Sequence, residues 1–60
     1  MVKIGDKIRV IYMDGEPHMT DAEGTVRLID DMGQIHCKEF GLAIIPSVDE
    51  YEIIEDTHNE

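Results

Sequence analysis

Apolar side chains recur at every second position in five short segments of this chain, and glycine, aspartate or proline separates the segments. This spacing is typical of β-strands that bury one face, and no segment has the 3.6-residue spacing of an amphipathic helix. The segments are residues 7–13, 24–30, 34–40, 42–45 and 51–54. They predict an all-β fold, a small five-stranded SH3-like barrel over residues 1–55, with a flexible acidic tail at residues 56–60.

Turn-forming residues separate the predicted strands. Residues 14–23 are the longest irregular stretch, where Gly15 and Pro17 interrupt regular structure. Residues 30–33 predict a tight hairpin turn in which Gly33 supplies a positive φ. Pro46 cannot donate a ladder hydrogen bond, so residues 46–49 are expected to form a single 3-10 turn before the last strand.

The same alternation predicts which side chains fill the interior. The predicted core consists of Ile4, Ile8, Val10, Val26, Leu28, Ile35, Cys37, Leu42, Ile44, Val48, Tyr51 and Ile53. A second apolar set alternates with the first and comprises Ile11, Ile29, Phe40, Ile45 and Ile54. We expect part of this second set to form an exposed apolar patch, because such patches mark interfaces.

Charge narrows the range of partners. The chain carries 14 acids and 5 bases, a net charge of −9, and all five bases lie in the first 38 residues. Such acidity repels nucleic-acid phosphates and anionic lipids, so a basic protein is the expected partner; the alternative is a surface that only binds water. The predicted acidic protein-binding surface comprises Asp14, Glu16, Asp21, Glu23, Asp30, Asp31, Asp49, Glu50 and Glu52.

The sequence offers little for catalysis or for binding a metal or cofactor. Cys37 is the only cysteine, which excludes an internal disulfide and favours a reducing, cytoplasmic setting. His36 and Cys37 are neighbours on a predicted strand, so they point to opposite faces and cannot share one ion. Apolar neighbours and the acidic charge should keep Cys37 protonated and unreactive. No apolar run approaches the roughly 20 residues that span a bilayer. We therefore expect a non-enzymatic protein without catalytic, metal or cofactor residues.

Residues 24–54, GTVRLIDDMGQIHCKEFGLAIIPSVDEYEII, resemble a small family of uncharacterised SH3-like domains from phages and conjugative elements. Residues 2–13, VKIGDKIRVIYM, are similar to the start of that family. The most specific parts are IDDMGQIH and AIIPSVDEYEII. Valine is usual in the family where Cys37 stands here, which agrees with a core role for this side chain. The resemblance implies that the chain resides on a mobile element.

Three hypotheses about function follow. The first is a non-enzymatic interaction module of a phage or mobile element, in its most specific form an anti-CRISPR-like inhibitor that binds a basic, nucleic-acid-binding host protein with its carboxylates. The second is an oligomer, for instance a homodimer, that sequesters a nucleotide signal between its subunits. The third is a structural adaptor in a phage or conjugation complex.

Overall fold

The computed structural model of the chain describes residues 1–55 and shows five β-strands and one short 3-10 helix. The strands are β1 (Lys7–Tyr12), β2 (Glu23–Ile29), β3 (Ile35–Cys37), β4 (Ala43–Ile44) and β5 (Glu50–Glu55). Each strand falls within or overlaps a segment that the apolar alternation predicted, so the all-β class and the strand count are confirmed. The predicted tail at residues 56–60 lies outside the described residues. No helix of the described part is long and apolar enough to cross a bilayer.

The strands form a single antiparallel sheet in the order β4-β3-β2-β1-β5. Strand β2 joins its two halves, because residues 23–25 pair with β1 and residues 26–29 pair with β3. The prediction of a closed barrel is wrong. Closure would need pairing between the two outer strands, but β4 has only two residues and pairs with β3 alone, while β5 pairs with β1.

Within residues 1–55 the one 3-10 helix lies after β1, at Pro17–Met19, and the prediction of such a turn before the last strand is wrong. Pro17 occupies the first turn, where its fixed φ suits a helix and its missing N–H is not needed. After Pro46 the chain forms a wider turn, in which the N–H groups of Val48 and Asp49 both donate to the Ile45 carbonyl at 2.9 and 2.8 Å.

A bulge in β1 changes which side chains enter the core. Val10 pairs with Tyr51 and Tyr12 pairs with the residue directly before Tyr51, so Ile11 is an extra residue on β1. One extra residue reverses the alternation of faces. Met13 is therefore buried, with 3% of its surface exposed, whereas Tyr12 is 46% exposed.

A second bulge has the same effect in β2. Val26 pairs with Cys37 and Leu28 pairs with the residue directly before Cys37, so Arg27 is the extra residue. Ile29 consequently packs against the core, while Leu28 is 41% exposed. The strict alternation had assigned these two neighbours the other way round.

Seven side chains form the buried core: Ile8, Val10, Met13, Val26, Ile35, Cys37 and Ile44. Six of them were predicted, and Tyr51 packs against this core while partly buried. Besides Leu28, the core prediction is wrong for Ile4, Leu42, Val48 and Ile53, all of which are exposed. Ile4 lies in a turn before β1, Leu42 and Val48 lie in the connections on either side of β4, and Ile53 lies on an outer strand.

The hairpin between β2 and β3 forms as predicted. Gly33 has a φ of +81°, and its N–H donates to the Asp30 carbonyl at 2.9 Å. Of the second apolar set, Phe40 packs against the core together with Ile29, whereas Ile11 and Ile45 are exposed. Ile54 is partly buried, so the exposed members of this set are Ile11 and Ile45, and Ile45 belongs to the groove described next.

Candidate functional site

An open groove of about 370 Å³ lies between the end of β1 and the connections that flank β4. Its apolar lining comes from Met13, Leu42, Ala43, Ile45 and Val48. Met13 is buried, but Leu42, Ile45 and Val48 expose 39, 39 and 50% of their surface. The groove thus presents apolar side chains to solvent at a point where no strand covers them.

Carboxylates supply most of the polar lining of this groove. Asp14, Glu16 and Asp49 line it together with the Gln34 amide, and none of the five basic residues does. A charged group bound in the groove would therefore meet these carboxylates, with no lysine or arginine in the lining to offset their charge; His18 lies outside the lining, with Nδ1 3.5 Å from Glu16 Oε1. The groove is suited to a group that is apolar along its length and positive at one end.

Asp49 lines the groove, but its carboxylate is buried within the wall and adds little exposed surface. Its side chain is buried, and its two carboxylate oxygens accept from the backbone N–H groups of Asp14 and Ile45, each at 2.8 Å. The first bond holds the chain after β1, and the second closes the turn around Pro46. The sequence analysis assigned Asp49 to the acidic surface. In the structure its carboxylate instead joins the segment after β1 to the turn around Pro46.

Tyr12 shows that the negative charge extends from the groove to the start of β5. Its hydroxyl donates to Asp14 Oδ1 at 3.0 Å, and it lies opposite Glu50 in the sheet. That hydrogen bond, together with the negative charges of Asp14, Asp49 and Glu50, raises the pKa of Tyr12. We call Asp14, Glu16 and Glu50 the groove carboxylates: Asp14 and Glu16 line the groove, and Glu50 is not in its lining but follows Asp49 in the chain and lies opposite Tyr12 in the sheet. Asp14 and Glu50 are exposed, and Glu16 is partly exposed.

Two of the predicted surface acids share one base, Arg9, on the solvent side of the sheet. Arg9 lies between Glu23 and Glu52 in the strand register and bonds both, with Nη1 to Glu52 Oε2 at 2.6 Å and Nη2 to Glu23 Oε2 at 3.2 Å. The hydrogen bonds to Glu23 and Glu52 raise the pKa of Arg9. One guanidinium offsets one of these two negative charges, so this cluster contributes less negative charge to a binding surface than its two acids would alone.

The carboxylate of Asp30 accepts hydrogen bonds within the hairpin between β2 and β3. Its Oδ1 accepts from the N–H groups of Met32 and Gln34, both at 2.9 Å, and its Oδ2 lies 3.0 Å from His36 Nε2. The hydrogen bond from His36, followed by those from the backbone, lowers the pKa of Asp30. Asp31 beside it is exposed, as is Asp21 in the β1–β2 loop, and neither lines the groove.

The structure offers no nucleophile at the groove among its described residues. Cys37 lies in the core with 1% of its surface exposed, and burial, with the charge of Glu39 added, raises its pKa to about 11. Among residues 1–55, no three histidine, cysteine or acidic side chains are grouped in a way that could hold a metal ion.

The groove itself was missed by the sequence analysis. Leu42 and Val48 were assigned to the core because they continue an alternation, although each lies outside a strand. The signal that could have found the groove is the position of Leu42, Ile45 and Val48 around Pro46. A proline turn leaves no neighbouring strand to cover the apolar residues beside it.

Comparison with protein-family models places the chain in a family. Residues 2–54 match the model described as a domain of unknown function, DUF4314, and the chain therefore belongs to that family. Comparisons with the curated proteins and with the solved structures each found no significant match.

Proposed function

We propose that this protein is a non-enzymatic interaction module that binds a basic protein at the groove beside β4. The observation that carries the proposal is the composition of the groove lining, which combines exposed apolar side chains with carboxylates and contains no base. Exposed apolar surface bounded by charge of one sign favours a partner of the opposite sign. The groove carboxylates Asp14, Glu16 and Glu50 are the residues assigned to this contact.

More specifically, we propose that the chain comes from a mobile element and inhibits a protein of its host. The resemblance to domains of phages and conjugative elements supports a protein of a mobile element that acts in the cytoplasm of its host. Its target would be a nucleic-acid-binding host protein, inhibited in the manner of an anti-CRISPR. Carboxylates can occupy a basic surface that otherwise binds phosphates, and the net charge of −9 supports this mode of action.

The groove argues against the alternative of a nucleotide-binding oligomer. A nucleotide phosphate placed there would lie beside Asp14 and Glu16, and no lysine or arginine lines the site. Phosphate sites in proteins use basic side chains or clusters of backbone N–H groups. A structural adaptor would use the same acidic groove, and it differs from an inhibitor only in whether the partner loses its activity on binding.

The absence of catalysis is also part of the proposal. The only thiol is buried and has a raised pKa, which removes the thiolate that nucleophilic chemistry needs. A Cys37→Val variant should therefore bind the partner as the wild type does. Loss of function in a folded Cys37→Val protein would return an enzymatic role to consideration.

The experiment is capture of partners from a lysate of the organism that encodes the chain, with the immobilised full chain as bait. Two variants of equal charge serve as comparison, Asp14→Asn/Glu16→Gln and Asp21→Asn/Asp31→Asn, each of which changes the net charge from −9 to −7. The expected result is a basic protein, identified by mass spectrometry, that the groove variant fails to capture and the second variant retains. Equal capture by both variants would show that the groove carboxylates are not the binding site.

A further inference from the structure

We infer that the groove recognises an arginine side chain flanked by apolar residues in an extended segment of the partner. The inference rests on the proposed function and specifies the group that the groove accepts. Three features of the site lead to it: the length of its apolar lining, the position of its carboxylates, and its exposed walls.

The lining is suited to a long side chain with a charged end. Arginine and lysine bury an aliphatic stem along apolar surface and keep the charged group near polar atoms. Met13, Ala43 and Ile45 offer apolar contacts for such a stem, and Asp14 and Glu16 line the same groove as acceptors. Asp14 accepts from the Tyr12 hydroxyl and Glu16 lies 3.5 Å from His18 Nδ1. A purely apolar side chain would exclude water from the remaining acceptor positions of these two carboxylates without replacing its hydrogen bonds, which costs free energy.

Arginine fits this arrangement better than lysine does. Its planar guanidinium presents five donors in a fixed geometry and is more weakly hydrated than an ammonium group, so it gives up less hydration when it binds beside apolar surface. The Arg9 guanidinium on this protein shows the same chemistry, since it joins two carboxylates from neighbouring strands.

The exposed walls explain the apolar flanking residues. Leu42 and Val48 expose 39 and 50% of their surface beside the groove, so residues on either side of the bound arginine would contact them. A volume of about 370 Å³ lies at the small end of the range for ligand sites, which is consistent with one side chain and its neighbours.

Charge also disfavours a second copy of this chain as the occupant, because two copies would bring net charges of −9 together. Arg9 is bonded to two glutamates on the solvent face of the sheet, so it is not available as the group to be inserted. Arg27 is exposed between Val26 and Leu28, so self-association is one outcome of the test: shifts of the groove amides that depend on protein concentration before any peptide is added would overturn the inference of a separate partner.

The test is a titration of the isotope-labelled full chain, followed by NMR, with three peptides: acetyl-Leu-Arg-Leu-amide, its citrulline analogue and acetyl-Gly-Arg-Gly-amide. Citrulline has the shape of arginine without its charge. The expected result is a set of saturable shifts at the amides of Asp14, Leu42 and Val48 with the first peptide, and affinity lower by about tenfold or more with the citrulline peptide. The glycine-flanked peptide should bind several-fold more weakly than the leucine-flanked one.

Two variants localise the effect. Val48→Ser removes an exposed groove wall, and Met32→Ser is its control, because Met32 is 81% exposed at the hairpin turn outside the groove. Val48→Ser should weaken binding of the leucine-flanked peptide, and Met32→Ser should leave it unchanged.

The outcomes separate this inference from the proposed function. Equal affinity for the arginine and citrulline peptides, or shifts spread over all exposed acids, would overturn the arginine groove even if lysate capture still depended on Asp14 and Glu16. Groove-specific peptide binding without any captured basic protein would instead support the inference while removing the proposed function.

Discussion

At the scale of single residues, Asp49 connects the stability of the fold to the shape of the groove. It is a buried acid whose two oxygens accept backbone N–H groups from separate segments, at Asp14 and Ile45. A buried N–H that loses its acceptor retains the cost of leaving water. The groove therefore depends on one side chain that contributes no exposed charge.

We predict that Asp49→Asn lowers the free energy of unfolding by about 1–3 kcal/mol, because an amide offers one acceptor oxygen where the carboxylate offers two. The measurement is urea denaturation, with Asp31→Asn as the control, since Asp31 is exposed in the hairpin turn. Equal midpoints for the two variants would contradict the bridging role of Asp49.

The stability of the hairpin between β2 and β3 depends on pH through Asp30. Its pKa is lowered by the hydrogen bond with His36 and by two backbone N–H groups, so its contribution to stability is present above the ordinary aspartate pKa of about 3.9. That contribution is lost as the pH falls through the lowered pKa of the folded state. The carboxylate, and not the turn sequence alone, therefore stabilises the hairpin at neutral pH.

We predict that Asp30→Asn destabilises the protein more at pH 5 than at pH 3, since at the lower pH the wild type begins to lose the same charge. Urea midpoints of the variant and the wild type at the two pH values provide the measurement. A difference in stability that stays constant between pH 5 and pH 3 would argue that the carboxylate charge of Asp30 is not involved.

At the scale of elements, the bulges at Ile11 and Arg27 decide how β1 and β2 present their side chains. An extra residue at Ile11 and another at Arg27 each reverse the alternation of faces. Met13 thereby enters the core and reaches the groove, although the pattern of β1 alone had directed it to solvent.

We predict that Met13→Ala lowers the free energy of unfolding by about 2–3 kcal/mol, because it removes a fully packed side chain and leaves a cavity. Met32→Ala is the control, with the same change at a side chain that is 81% exposed, and it should stay within about 0.5 kcal/mol of the wild type. Thermal or urea unfolding measures both variants. A similar loss in the two proteins would show that β1 has no bulge at Ile11.

The sequence correctly predicts the strand positions and the turn between β2 and β3. It does not predict the bulges or the open sheet. Strand positions and the Gly33 turn follow from local chemistry, namely alternating apolar residues and a glycine with positive φ. Leu28, by contrast, lies one residue beyond a bulge, and a bulge depends on how two distant strands pair. The sequence also did not predict that the sheet stays open, because closure depends on the length of β4, which is only two residues.

The acidic surface was predicted by composition, but its division among roles was not. Glu23, Glu52 and Asp30 have partners that only the fold brings near, and Asp49 is buried by a turn. Counting charges along the chain cannot separate paired acids from free ones. The fold does so: at the groove, Asp14 accepts from the Tyr12 hydroxyl and Glu16 lies 3.5 Å from His18 Nδ1, so neither is among the acids that the described residues pair with a lysine or an arginine.

At the scale of the whole molecule, excess negative charge and one apolar groove occupy the same end of the sheet. No lysine or arginine lines the groove; Arg9 lies between two glutamates, and Lys3 lies beside the buried Asp6. A partner approaching this end meets carboxylates first and apolar side chains when it docks. Such a site should bind quickly through charge and owe its specificity to the shape of the groove.

The most direct test of this account measures the affinity of the purified partner for the full chain as a function of salt, for example by calorimetry at 50 and 300 mM NaCl. The account predicts that wild-type affinity falls with salt, and that Asp14→Asn/Glu16→Gln weakens binding by about tenfold at 50 mM while Asp21→Asn/Asp31→Asn changes it by about twofold at most. Affinity that rises with salt, or that falls equally in the two variants, would contradict it.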